Sequence, residues 1–113
     1  MRVRFTSCVA LAGYSFGAMV ALRTAAQLEE VDRVVAIAPP LAFFDLSSIG
    51  DYAKPKLFVL GDRDQYCGVP QLQRALADVQ PPKAEHIITG ADHFFAGAER
   101  TVGNVVGTFA AAL

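Results

Sequence analysis

Apolar positions along this chain come in short blocks, cut apart by glycine, proline and charge. Cys8-Val9-Ala10-Leu11-Ala12 is short, apolar and closed by Gly13, the pattern of a buried strand. Residues 18–29 are dense in alanine, leucine and other good helix formers. Residues 31–38 read as a second buried strand, stopped by Pro39-Pro40, and residues 56–60 as a third, ended by Gly61. Between them, Phe43, Phe44, Ser47, Ser48, Gly50 and Tyr52 follow no clear period, so residues 41–55 are expected to be a loop with room for one helical turn. Pro70 opens a helix whose apolar positions Leu72, Ala75, Leu76 and Val79 repeat at i, i+3, i+4 and i+7, and Pro81-Pro82 closes it. Residues 84–88 form a fourth strand, ending at Thr89-Gly90. A last helix puts Val102, Val105, Val106, Phe109 and Leu113 on one face, although Gly103 and Gly107 weaken it.

Strand and helix therefore alternate. That order predicts an α/β fold with about four parallel strands, flanking helices and right-handed crossovers, its reactive groups in loops at the carboxyl ends of the strands. Residues 1–113 read as a single domain, long enough to bury roughly two-thirds of the unfolded surface. Composition changes little in this picture. With 53% hydrophobic and 19% charged residues the chain is not of the disordered class. A net charge of −1 gives no electrostatic case for nucleic acid or an anionic membrane. Arg23 and Glu29-Glu30 interrupt the richest apolar stretch before it reaches the length of a membrane span. The start, Met1-Arg2-Val3-Arg4-Phe5-Thr6-Ser7-Cys8, is superficially like a charged leader before an apolar segment. That segment would have to include the turn at Ser15, so a signal peptide is rejected and a cytoplasmic location expected. Cys8 and Cys67 make neither a disulfide framework nor a metal spacing; reduced thiols and no cofactor are expected.

The candidate chemistry starts at Gly13-Tyr14-Ser15-Phe16-Gly17, between the first strand and the first helix. A serine flanked by glycines at such a turn is the G-x-S-x-G nucleophile elbow. The turn forces a strained serine backbone, and side chains two positions away on either side are expected to collide with neighbouring backbone, which the glycines avoid. Ser15 Oγ then stands at a helix N-terminus, where the Phe16 N–H can face a developing oxyanion. Asp62 and Asp64 follow the third strand, in Gly61-Asp62-Arg63-Asp64. His93 follows the fourth, in Gly90-Ala91-Asp92-His93-Phe94-Phe95.

The order Ser, Asp, His on these loops resembles the α/β-hydrolase superfamily. The chain looks like the C-terminal half of a compact, cap-poor bacterial member, a truncated α/β-hydrolase fold that begins at the nucleophile strand. The resemblance implies Ser15 as nucleophile, His93 as general base and acid, and an aspartate orienting the imidazole. The family pattern puts that acid three residues beyond the strand-ending glycine, which selects Asp64 over Asp62; Asp62 is then a turn former. Asp92 reads as a turn-capping carboxylate, His86 as a core or surface histidine, Cys67 as a packed thiol, and Ser47 and Ser48 as loop residues. Phe43, Phe44, Tyr66, Phe94 and Phe95 are candidates to line an acyl pocket.

The implied activity is that of a serine esterase on small acyl esters, with thioester, lactone or peptide as variants of the bond. The alternative is a hydrolase-like module that assembles but catalyses little. In complete members the strands before the elbow provide the second oxyanion donor, and no obvious counterpart of Phe16 N–H stands in this sequence. Those strands would also pair with the elbow strand. A homo-oligomer is therefore expected, most simply a dimer through the strand containing Cys8 to Ala12, unless Arg2 and Arg4 protect that edge.

Overall fold

The computed structural model describes residues 9–112. Four parallel strands, β1 (Ala10–Tyr14), β2 (Arg33–Ile37), β3 (Lys56–Gly61) and β4 (Lys83–Ile88), lie side by side in chain order. Helices α1 (Phe16–Gln27) and α2 (Val69–Leu76) make the crossovers from β1 to β2 and from β3 to β4, α3 (Glu99–Ala111) forms the tail, and the β2–β3 connection contributes one 3₁₀ turn at Ser47–Ile49. The α/β class and the four parallel strands agree with the reading of the sequence.

Strand alternation decides which helix covers which face. Val34, Ala36, Phe58 and Leu60 point to the side of α1 and α2, where they meet Leu22, Leu72 and Leu76. Val35, Leu57 and Val59 point the other way, onto Val102, Val105, Val106 and Phe109 of α3. β3 lies between β2 and β4 and is buried at all six positions, so its sequence is a continuous apolar run apart from Lys56.

β1 departs from expectation in two ways. Gly13 and Tyr14 pair with Ala36 and Ile37, so the strand continues through the glycine and stops only where Ser15 turns. Cys8 lies outside the described residues, as do Arg2, Arg4 and Leu113. The strand is also covered on one face only. Leu11 packs against the α1 side, but Ala10, Ala12 and Tyr14 are exposed, because α3 lies over β2, β3 and β4 and leaves β1 bare. Among the described residues β1 has a single strand partner. Smaller differences sit at helix ends. α1 begins at Phe16, directly after the turn, and α2 stops at Leu76, although Val79 stays buried through a turn bonded to the Leu76 carbonyl at 3.1 Å.

Two glycines set how closely the elements approach. A Cβ at Gly13 would run into the Gly17 carbonyl, and one at Gly61 into the Ala91 carbonyl. The expectation that Gly17 also avoids a clash is not met: a Cβ there has open space outside its own helix. The crowding is one-sided because the Gly13 Cβ would point into the first turn of α1, whereas that of Gly17 points away. Gly13→Ala and Gly61→Ala are each expected to cost about 2–4 kcal/mol of stability, the range of overpacked or strained sites. Gly17→Ala should stay within about 1 kcal/mol of wild type in denaturant unfolding.

Lys56 is the other surprise. It is fully buried at the start of β3, where Nζ donates to the carbonyls of Tyr52 (2.7 Å) and Lys54 (2.6 Å). Burial, then the charge of its register neighbour Lys83, pulls its pKa down from 10.5 to about 8. Between those values the unfolded chain holds a proton that the folded chain has released, so this residue adds stability as pH rises. The stability of wild type relative to Lys56→Met should climb from pH 8 to pH 10 by up to about 1.4 kcal/mol per pH unit. A difference independent of pH would contradict the assignment.

Candidate active site

Ser15 caps α1 in an unusual way. Its backbone has φ 57° and ψ −123°, outside the comfortable regions for a side chain. The turn holds it there by a bond from Ser15 N–H to the Ile37 carbonyl at 2.8 Å and one from Ala18 N–H to the Ser15 carbonyl at 2.9 Å. A serine at this position normally turns its hydroxyl back to cap the helix amides. Here Oγ makes no capping bond; it lies 2.7 Å from His93 Nε2. The Phe16 N–H, in the first turn of α1, has no partner within the helix and faces the same end of the sheet.

The imidazole is gripped on its other side by Asp64, whose Oδ2 accepts from Nδ1 at 2.9 Å. A carboxylate only accepts, so the proton sits on Nδ1 and Nε2 is left to accept the Ser15 hydroxyl. Both side chains are almost fully covered, 4% exposed for His93 and 0% for Asp64. Asp64 is fixed in turn by the Tyr66 and Cys67 amides, which donate to Oδ1 at 2.7 and 3.1 Å. Asp62 stands apart from the imidazole and accepts from Gly90 N–H at 2.8 Å, tying the loop after β3 to the loop after β4. Asp92 accepts from Phe94 N–H at 2.9 Å, within its own turn.

Two neighbours of His93 carried no signal in the sequence. Tyr14 OH donates to the His93 carbonyl at 2.8 Å, and the Gln65 side chain accepts from the His93 N–H at 3.2 Å. Burial, followed by the charges of Asp64 and Asp92, raises the Tyr14 pKa, so its hydroxyl stays a donor. Positive φ values mark the same end of the sheet: among the described residues the non-glycine positions that carry them are Ser15, Ala38 and Phe95, each in a loop beyond a strand's carboxyl end.

The other candidates separate clearly. Tyr66, Phe94 and Tyr14 pack around the His93 ring, Phe43 meets Tyr66, and Phe44 meets Phe16. Phe95 touches this group only from below, its ring centre 6.3 Å from that of Tyr14. It is buried in the core under α3, because its left-handed backbone turns the ring inward. Cys67 is buried, and burial, with Asp64 adding to it, pushes its thiol up to about 11, too high for a thiolate nucleophile at neutral pH. His86 is exposed on β4. A cavity of about 420 Å³ between the end of α1 and residues 47–54 lies roughly 15 Å along α1 from Ser15 and brings no base to a nucleophile. Among the described residues no cluster of His, Cys, Asp and Glu suits a metal ion, and no helix is long and apolar enough to cross a membrane.

Comparison with known proteins follows the same lines. The dienelactone hydrolase family matches residues 2–112. An uncharacterised protein of Rickettsia prowazekii is 33% identical over an alignment of 91 residues that covers 74% of this chain and 38% of that protein. Among solved structures, an α/β serine hydrolase homologue from Coxiella burnetii superposes with a TM-score of 0.77 at 28% identity, covering 88% of this chain and 47% of that one. A lid-less α/β serine hydrolase from Xanthomonas campestris gives 0.72 at 29% identity, over 96% of this chain and 50% of that one. The chain thus spans about half the length of these structures. By the match over nearly its whole length, it belongs to the dienelactone hydrolase family, within the α/β-hydrolase superfamily.

Proposed function

We propose that this chain is a serine hydrolase, an esterase of small acyl esters, acting in the cytoplasm. The observation that carries the reading is the unbroken contact from Ser15 Oγ through the His93 ring to Asp64. In this reading Ser15 Oγ attacks the acyl carbon while His93 Nε2 takes its proton. The carbonyl oxygen becomes an oxyanion facing the Phe16 N–H, and the Asp64 carboxylate offsets the positive imidazole. Collapse expels the alcohol, whose oxygen receives the proton from Nε2. Water then attacks the acyl-enzyme by the same route, releasing the acid and restoring Ser15. Short acyl groups suit the site, because residues 41–55 spend Leu41, Leu46 and Ile49 on the core rather than building a lid over Ser15.

Labelling with a fluorophosphonate, together with hydrolysis of acetate and butyrate esters, tests this. Ser15→Ala should abolish both, and His93→Ala should cost about as much, since such residues act as a unit. Asp64→Asn should lower kcat by about 10³–10⁴ by putting the proton on the wrong ring nitrogen. Asp62→Asn should cost less than about tenfold, because Asp62 only joins two loops. Comparable hydrolysis in Ser15→Ala, or the reverse ranking of the aspartates, would remove the assignment.

The bare edge of β1 supports a further element of the reading. Its outer N–H and C=O groups have no partner among the described residues, and its exposed side chains Val9, Ala10 and Ala12 carry no charge. Such an edge is a template for another strand. We propose that a second copy of the chain occupies it, giving a two-fold dimer that buries at least about 1,000 Å². Light scattering after size exclusion at micromolar concentration should give twice the monomer mass; a monomer that persists on concentration would end this proposal. A dimer that fails to react with fluorophosphonate would instead favour an assembly module with little catalysis.

A further inference from the structure

Five of the eight exposed large apolar side chains among the described residues are aromatic: Tyr14, Tyr66 and Phe94 pack on the His93 ring that meets Ser15, Phe43 packs on Tyr66, and Phe16 follows Ser15 in the chain. Exposed apolar residues scattered singly need no explanation, but a cluster at one end of the sheet does. The cluster divides at the serine. Phe16 meets Phe44 with ring centres 5.5 Å apart, on the side of the amide donor. Tyr66 and Phe94 stand edge-on to the His93 ring, at 4.7 Å and 81° and at 5.3 Å and 89°, and Phe43 extends that side 6.0 Å beyond Tyr66. Phe43 and Phe94 keep 70% and 62% of their surface open.

We propose that this site selects esters whose leaving alcohol carries a planar aromatic ring, bound against Tyr66 and Phe94. The inference rests on the reading of Ser15 and His93 as the reacting pair. If His93 Nε2 delivers the proton, the leaving oxygen must come within hydrogen-bond reach of it, about 3 Å. The group on that oxygen then runs across the side chains flanking the imidazole, and those are aromatic. A flat, rigid ring meets them edge-to-face or offset with little entropy to lose, a geometry that favours aromatic partners beyond the area they cover. A flexible alkyl chain on so open a surface buries less and loses more rotamer freedom. The selectivity expected from one such contact is about tenfold.

The closing experiment compares benzyl acetate with cyclohexylmethyl acetate. The two have the same acyl group and leaving alcohols of similar size and acidity, and only one is aromatic. Wild type should favour the benzyl ester about tenfold in kcat/KM, chiefly through KM. The ratio should fall to within about twofold of unity in Tyr66→Leu and in Phe94→Leu. A parallel pair, ethyl phenylacetate and ethyl cyclohexylacetate, carries the ring on the acyl side and should show little preference. Equal turnover of the two acetates, a preference that survives both leucine variants, or a preference confined to the acyl side would overturn the proposal and leave the esterase reading standing. If no ester is hydrolysed and fluorophosphonate leaves Ser15 unlabelled, the esterase reading fails. The ring site is then read by NMR, where benzyl alcohol should shift the His93 ring signals and cyclohexylmethanol should not; no shift with benzyl alcohol would overturn it there too.

Discussion

The imidazole of His93 is held from several directions at once, and the rest of the site depends on that hold. Asp64 grips Nδ1, Ser15 meets Nε2, Tyr14 and Gln65 bond the backbone carbonyl and amide, and three aromatic rings close around the plane. Ser15, Asp64 and His93 come from loops after three different strands, 29 and 78 residues from their partners in sequence. A parallel sheet in chain order brings those loops to one end. It does not by itself bring them within 3 Å. That last step needs backbone contact between the loops.

Gly61 and Asp62 supply it. With no Cβ at 61, the end of β3 reaches the Ala91 carbonyl, and Arg63 N–H donates to that carbonyl at 2.9 Å. Asp62 N–H donates to the Ile88 carbonyl, while its carboxylate takes the Gly90 amide. The loops carrying Asp64 and His93 are thus laced together before their side chains meet. Gly13 does the same for the serine, letting the end of β1 sit against the first turn of α1. In both places close approach of main chains, rather than attraction between the Ser15, His93 and Asp64 side chains, sets the geometry.

The parts legible in the sequence were those with a local signature. Apolar blocks bounded by Gly and Pro marked β2, β3 and β4 to within about two residues, and Gly13-Tyr14-Ser15-Phe16-Gly17 marked the turn. The contact of Asp64, rather than Asp62, with His93 follows the spacing from Gly61 expected of the family. What stayed hidden depends on contacts distant in sequence. Tyr14 and Gln65 reach His93 from 79 and 28 residues away, and neither residue type announces such a bond. Phe95 looked like its neighbour Phe94, yet a left-handed backbone sends it into the core. β1 reads as apolar throughout, and periodicity cannot tell that α3 stops short of it. Lys56 looked like the polar start of a strand, but its ammonium turns inward and donates to the Tyr52 and Lys54 carbonyls.

The distribution of strain explains why so small a sheet carries so much packing. Ser15, Ala38 and Phe95 each hold a positive φ, a conformation that costs of order 1–3 kcal/mol for a residue with a side chain. All three lie at the end of the sheet that holds the site. The opposing stabilisation comes from elsewhere: β3 is buried at every position, and cores on both faces converge on it. Relaxing Ser15 into an ordinary N-cap would recover the strain and satisfy a helix amide, but Oγ would then turn from Nε2 to the helix. The same backbone angle that makes the turn expensive is what leaves the hydroxyl, among the described residues, with the imidazole as its partner.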